Sequence, residues 1–414
     1  MRIQMVKRKS MKDHILVGNG IPPRYEISFG KSLRLWLLPI CFTVLVILTF
    51  LSGCNSSEHQ HRSGGSVRIF ALGQALVRNT PTGYLEAPLK TIVPILKKGD
   101  VVFTNLEVTI EGHYEKGEPT KNERNMQVAQ PGVIDFLNYI NVNLLSLSNN
   151  HSFNFGTSGI RSTLSAVTGR GIGYAGIGCN LREATEPGYL EINGVRVSLV
   201  ANATVNLPEG VLATDSRPGV NLLRVNHQDD WDRNIAAIRE AAEHSDIVLV
   251  YQHFQVTEKD IEEGNEYGHS FVSDLKAWQE SWAHAAIDAG ASMYVGQLSR
   301  EFKGVEIYKG RPIFYSLGNF IFQSRRPIGR HNKEVYESVM AEISWKKGKI
   351  RSISFIPIKI DEGSPGEFFL QRRGFPELAG KEAGVNILSR IVQLSSPYGT
   401  QFEIENGRVL IELN

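Results

Sequence analysis

Apolar positions along this chain follow two alternating rhythms. Short hydrophobic runs at residues 67–72, 101–106 and 142–147 are each followed by a stretch with apolar residues every three or four positions, at 85–97, 131–139 and 157–168. The first rhythm predicts strands and the second predicts amphipathic helices. The alternation returns as a helix at 232–243, a strand at 247–251, a helix at 277–289 and a strand at 293–295. Residues 189–201 read as a hairpin turning at Asn193-Gly194, a dipeptide suited to tight turns with positive φ. Further hairpins are expected at 305–314 and 338–358. Strand–helix alternation argues an α/β fold, and the hairpins add antiparallel strands, so the chain predicts a mixed-sheet α/β sandwich. Residues 361–414 carry one amphipathic helix near 383–393 and a closing strand pair, and read as the C-terminal closing segment of the same domain. The chain shows no internal repeat.

The first 66 residues follow neither rhythm. Lys7, Arg8, Lys9, Lys31 and Arg34 precede an apolar run at 35–51 that ends in Leu51-Ser52-Gly53-Cys54. A basic region, a hydrophobic region and small residues before a cleavage point form a secretory signal, and Leu-Ser-Gly-Cys resembles the bacterial lipobox. Residues 1–53 are therefore expected to be a lipoprotein signal peptide, with Cys54 acylated and the protein extracytoplasmic on the bacterial cell membrane. A single transmembrane anchor is the competing reading, since about 17 to 25 apolar residues span a bilayer. Both leave the same domain outside. Residues 54–66, rich in Ser, Gly and His, are expected to be a flexible tether, with His59 and His61 as linker residues.

Removing the signal changes the charge. Residues 1–53 hold eight Lys or Arg against two Asp or Glu, so the +2 of the whole chain becomes −4. A mildly acidic exported domain is a poor match for nucleic acid. Of the three cysteines, Cys41 leaves with the signal and Cys54 carries lipid, so Cys179 has no internal partner and residues 67–414 must hold by burial alone. A chain of this length can bury a sufficient core.

Four expected strand ends carry polar residues: Asn105-Leu106-Glu107, Asn149-Asn150-His151, Tyr251-Gln252-His253 and Gly296 to Arg300. Loops at the C-terminal ends of strands are where α/β proteins assemble ligand sites. Carboxylate, amide and imidazole groups arriving there from separate strands suit a metal-assisted hydrolase. Bland readings stand beside these. Asn-Asn-His also suits a turn whose side chains satisfy its own backbone, His253 suits a core histidine, and Arg300 suits a solvated surface. Glu107 is harder to dismiss, because a carboxylate on a buried strand end needs a partner.

The segments GDVVFTNLE, SLSNNHSFNFGTSGI, AHAAIDAGA and GVEIYKGRPIFYSLGNFIF, in that order between Gly99 and Phe322, resemble the CapA-type family of poly-gamma-glutamate capsule biosynthesis proteins. The likeness runs from about Val67 to the C-terminus. It implies an αββα sandwich resembling calcineurin-like metallophosphatases. Carried over residue by residue, Asn105 to Glu107 and Asn149 to His151 keep the family pattern, with Asn105 and Asn149 as supporting residues. His253 keeps the histidine of a His-Trp-Gly motif, although Phe254 and Gln255 follow it. Other positions depart. Gln74 stands where the family has an aspartate, Asn154 stands where an aspartate follows Asn-Asn-His, and Gln297, Leu298 and Arg300 occupy a segment where the family has Gly-His-His-Pro-His or Gly-His-Gly-Pro-His.

A two-metal centre needs bridging carboxylates and several imidazoles. What remains supports at most one divalent ion, manganese, zinc or iron, held by Glu107, Asn150, His151 and His253 with His151 and His253 as catalytic candidates, or none. The resemblance implies work on an anionic envelope polymer such as poly-gamma-glutamate, alongside membrane synthase subunits, with reduced or absent hydrolase activity. An active single-metal hydrolase of phosphoester or amide bonds, and a non-catalytic envelope scaffold, are the alternatives.

Overall fold

Along the strand Ser66–Ala71 the side chains part to two cores: Val67, Ile69 and Ala71 enter one, and Phe70 enters another. That is the expected consequence of a strand buried on both faces. The computed structural model describes residues 65–81, 89–112, 126–205, 210–255, 275–297, 300–363, 372–405 and 408–413. All belong to one unit, His59–Asn414. Cys54, Leu298, His59 and His61 lie outside the described residues, as does the apolar run at 35–51. Among the described residues no helix is long and apolar enough to cross a membrane.

In the larger sheet, Ser66–Ala71, Val101–Asn105, Leu144–Ser146 and Gly173–Ala175 run parallel. Glu337–Lys346 and Lys349–Ile360 extend it on the other side as an antiparallel pair. The second sheet has Val195–Val205, Ile247–Gln255, Met293–Gln297 and Arg311–Phe314 in parallel, with antiparallel edges Gly188–Ile192 and Val305–Tyr308. Between the sheets, Val67, Ile69 and Phe103 share a core with Leu199, Leu249, Tyr251 and Val295. The helices Leu89–Leu96, Gly132–Tyr139 and Gly156–Val167 bury Ile92, Phe136 and Ile160 against the outer face of the larger sheet. Gln228–His244 and Leu275–Asp288 bury Ile238 and Trp282 against the second. The fold is an α/β mixed-sheet αββα sandwich, as the alternation and the resemblance both implied.

Local details follow from local chemistry. The hairpin between Gly188–Ile192 and Val195–Val205 turns with Asn193 at φ 54° and Gly194 at φ 75°, a left-handed pair that matches strand twist. Lys347 at φ 52° and Gly348 at φ 78° turn the hairpin expected at 338–358 in the same way. Several boundaries move, among them the end of the strand expected at 247–251, which runs to Gln255 and carries His253 within it. The helix expected at 232–243 begins at Gln228, where Asp230 accepts hydrogen bonds from Arg224 and Arg233. The first strand begins at Ser66, inside the expected tether, because Ser66 pairs with Lys346. The strand expected to stop at Val295 continues to Gln297 through Gly296, whose missing side chain leaves room for the Tyr315 carbonyl and Gln279.

The pattern did not disclose a short two-stranded sheet in which Asn319–Phe322 runs parallel to Gln74–Leu76. It draws the turn after the first strand against Gly318, and the Gln74 N–H donates to the Gly318 carbonyl at 3.0 Å. A Cβ on Gly73 would lie 2.3 Å from that carbonyl oxygen. Gly73→Ala should therefore cost about 1–3 kcal/mol of stability through a backbone clash. Gly132→Ala, whose Cβ meets open space, should be neutral or slightly stabilising. Urea denaturation midpoints check this, and equal midpoints for the two variants would contradict it.

Candidate functional site

Asn149 is completely buried, and its side chain has work for both of its ends. Its Oδ1 accepts the His151 N–H at 2.9 Å, while its Nδ2 donates to the Leu106 carbonyl at 2.7 Å and to Asn105 Oδ1 at 3.2 Å. Thr109 Oγ1 adds a second tie by donating to the His151 carbonyl. The loop after Leu144–Ser146 is thus fastened to the segment after Val101–Asn105, and Glu107 is brought beside the Asn-Asn-His turn. Asn149 builds the turn, and Asn150 and His151 line a cavity.

The His151 ring is oriented by Asn154. Asn154 Oδ1 accepts the Gln127 N–H at 2.9 Å, which identifies it as the oxygen end of the amide. His151 Nδ1, 3.1 Å away, must then donate to it. In the neutral ring Nε2 is left as the acceptor. The aspartate that the resemblance implies at this position would hold the same tautomer and add a negative charge, whereas Asn154 supplies the orientation without the charge.

From the second sheet, His253 reaches Glu107, with Nε2 4.0 Å from Oε1 and both side chains buried. The Tyr251 hydroxyl lies 3.4 Å from His253 Nδ1. Burial, followed by the charge of Glu107, raises the Tyr251 phenol well above its ordinary range, so it stays protonated. Gln297 is the register partner of His253 on the neighbouring strand and is also buried. Gln74 Nε2 donates to Asn319 Oδ1 at 2.8 Å, and Asn319 Nδ2 donates in turn to the Val335 carbonyl, so the NH₂ end of the Gln74 amide is tied to the neighbouring strand.

The residues present do not fit a two-cation centre. Gln74 and Gln297 are neutral amides that bring no charge to balance two cations, and Arg300 is a cation that cannot act as a ligand. Among the described residues no group of three or more His, Cys, Asp and Glu is arranged to hold an ion. Glu107 and His253 provide one carboxylate and one imidazole, with His151 and Asn150 nearby on the cavity wall.

The cavity has a volume of about 680 Å³. Glu107, Asn150 and His151 line one part of it, and Arg300, Arg325, Arg326 and His331 line another. Arg300 lies over the Phe322 ring at 5.9 Å, and that ring packs edge-on against His331. Burial lowers the His331 pKa, and the cations of Arg300 and Arg326 lower it further, while Glu362 opposes them. Arg78 is pulled down to about 10 by burial and by Arg325 and Arg373. Glu107, His151, Asn150 and Arg300, expected from the sequence, line this one space, His253 stands behind Glu107 at 4.0 Å without lining it, and Asn105 and Asn149 support them. Arg325, Arg326 and His331 were missed. Their signal was the pair of adjacent arginines in Ser324-Arg325-Arg326-Pro327, just after the last strongly apolar motif.

Comparison with known proteins bears on this site. The model of the family described as "Bacterial capsule synthesis protein PGA_cap" matches residues 68–324. The chain is 27% identical to the PGA biosynthesis protein CapA of Bacillus subtilis, over 73% of each chain. It is 25% identical to the capsule biosynthesis protein CapA of Bacillus anthracis, over 80% of this chain and 76% of that one. A Sinorhizobium fredii protein, y4sH, is 27% identical over 83% of this chain and 93% of its own.

The crowding of cations makes His331 a reporter. Removing a neighbouring positive charge favours the imidazolium, so Arg300→Ala should move the His331 titration upward in pH relative to wild type. NMR titration of the histidine ring protons measures this. An unchanged or lowered His331 pKa would mean that Arg300 does not face it.

Proposed function

The chain belongs to the bacterial capsule synthesis protein family, and on that footing we propose that its cavity holds carboxylates of an anionic envelope polymer such as poly-gamma-glutamate by fixed positive charge. The protein takes part in capsule or poly-glutamate biosynthesis, the process named in its relatives from two Bacillus species. The observation that carries the finer reading is Arg300 on the cavity wall, in the segment where the resemblance implies histidine ligands. A guanidinium receives a carboxylate through paired N–H donors, each charge-assisted bond contributing roughly 1.5–3 kcal/mol. With neutral Gln74 and Gln297 and cationic Arg300 where the resemblance implies ligands, metal-dependent hydrolysis is reduced or absent in this reading. The lipobox supports a protein anchored through Cys54 on the outer side of the cell membrane, next to membrane synthase subunits.

A single-metal hydrolase is the second reading, favoured by the buried Glu107–His253 pair at 4.0 Å. In that case Glu107, Asn150, His151 and His253 would hold one divalent ion, which supplies Lewis acidity for phosphoester or amide cleavage.

Metal content and binding separate the two. The purified full-length protein in detergent should hold less than one equivalent of manganese, zinc or iron. Oligo-gamma-glutamate should bind in the presence of EDTA, weaken as salt rises, and be lost in Arg300→Ala but kept in Arg161→Ala. Calorimetry that shows binding only with added metal would return the weight to Glu107, His151 and His253. The anchor is tested separately: a fatty-acid probe should label wild-type protein in cells and leave Cys54→Ala unlabelled.

A further inference from the structure

Arg300 is not alone on its wall. The chain that follows Asn319–Phe322 is clamped on both sides of Arg325 and Arg326. On one side Gln323 Oε1 accepts the N–H groups of Arg78 and Asn79 at 2.7 and 2.9 Å, Gln323 Nε2 donates to the Asn79 carbonyl, and Arg78 Nε donates to the Gln323 carbonyl at 3.0 Å. On the other, Arg373 Nη2 donates to the Arg326 carbonyl at 2.5 Å. Ser324 Oγ accepts the Arg326 N–H at 3.1 Å and lies 3.0 Å from His331 Nε2. The backbone carrying the two guanidiniums is thus held by residues more than 240 positions earlier and almost 50 positions later in the chain. Both side chains are exposed at the cavity.

Charge accumulates here well beyond what one carboxylate requires. Arg300, Arg325 and Arg326 line the space, Arg78 is close enough to feel Arg325 and Arg373, and Arg373 also acts on His331. Among the described residues, Glu107 also lines the cavity, and Glu362 Oε1 accepts the Gly329 N–H at 2.7 Å. Like charges are costly to hold together in a partly desolvated cavity, and an anionic ligand relieves that cost. A volume of about 680 Å³ admits several residues' worth of side chain rather than a single anion.

We infer that Arg325 and Arg326 form a second carboxylate subsite beside Arg300, so that the cavity takes a chain bearing at least two spaced carboxylates rather than one acidic group. This rests on the reading of Arg300 given above. Once one carboxylate is seated, the next binds at high effective concentration, and affinity rises with ligand length until both subsites are filled. The spread of guanidiniums also favours planar, bidentate carboxylate pairing at each subsite.

The test is calorimetry in EDTA on the full-length protein in detergent, titrated with glutamate, with gamma-linked glutamate oligomers of increasing length and with inorganic polyphosphate. Wild type should gain on the order of tenfold or more in affinity from glutamate to the longer oligomers. In the double variant Arg325→Ala/Arg326→Ala, affinity for the longer oligomers should fall to the level that wild type shows for glutamate. Oligomer binding should also raise the His331 pKa in wild type by NMR, because a bound carboxylate offsets its cationic neighbours. Thermal unfolding of the double variant guards against misfolding, since both side chains are exposed. Retained length dependence in that variant would overturn the second subsite and leave the Arg300 reading standing. No binding of any oligomer to wild type would overturn both. Equal length-dependent gain with polyphosphate would overturn the carboxylate assignment.

Discussion

A buried amide has to find partners for both its carbonyl and its NH₂, and at Asn149 that requirement joins two strand ends. Because its partners are the Leu106 carbonyl, Asn105 and the His151 N–H, Glu107 cannot move independently of His151. The rest of the site is built outward from this knot. The second sheet adds His253 across the inter-sheet core, where Phe103 meets Tyr251 at 5.4 Å between ring centroids. Sheet packing thus sets the distance between Glu107 and His253, and the amide sets the distance between Glu107 and His151.

Two positions around that frame differ from what the resemblance implies. Where the resemblance implies an aspartate, Gln74 is a neutral partner of Asn319, and where it implies histidines, Arg300 brings a permanent charge. Each substitution is locally satisfied: the Gln74 amide is hydrogen-bonded, and Arg300 rests over Phe322. Buried polar groups left without partners are expensive, so neutral amides here are held by hydrogen bonds. The Gln74–Asn319 bond also ties Gln74–Leu76 to the segment that leads to Arg325 and Arg326.

This arrangement gives the family membership a physical content. Capsule polymers of the glutamate type are rows of carboxylates, and a cavity in which amides and imidazoles face a clamped arginine wall is chemically suited to hold such a row. Arg325 and Arg326 lie in a loop whose backbone is held by hydrogen bonds to distant segments, which fixes where their side chains start.

Much of the architecture was legible without coordinates. Alternating apolar rhythms disclosed the layers, Asn193-Gly194 disclosed its turn, and the Asn-Leu-Glu and Asn-Asn-His motifs disclosed where Glu107 and His151 sit, because each depends on residues close together in the chain. Boundaries shifted where a distant contact overrode the local pattern: Gly296 continues a strand because its bare Cα fits against Tyr315, and Ser66 joins a strand because Lys346 pairs with it. The identity of Arg300 as a cation was also plain from the sequence. Its company was not. That Gln74 would spend its amide on Asn319, 245 residues away, and that Arg78, Arg325 and Arg373 would meet around one loop, depends on long-range packing that residue types alone do not specify. The sequence by itself determined which groups were available and on which strands they stood; only the tertiary structure decided which were spent on one another and which were left to face the cavity, because a polar side chain's role is set by the partners that folding brings within hydrogen-bonding reach.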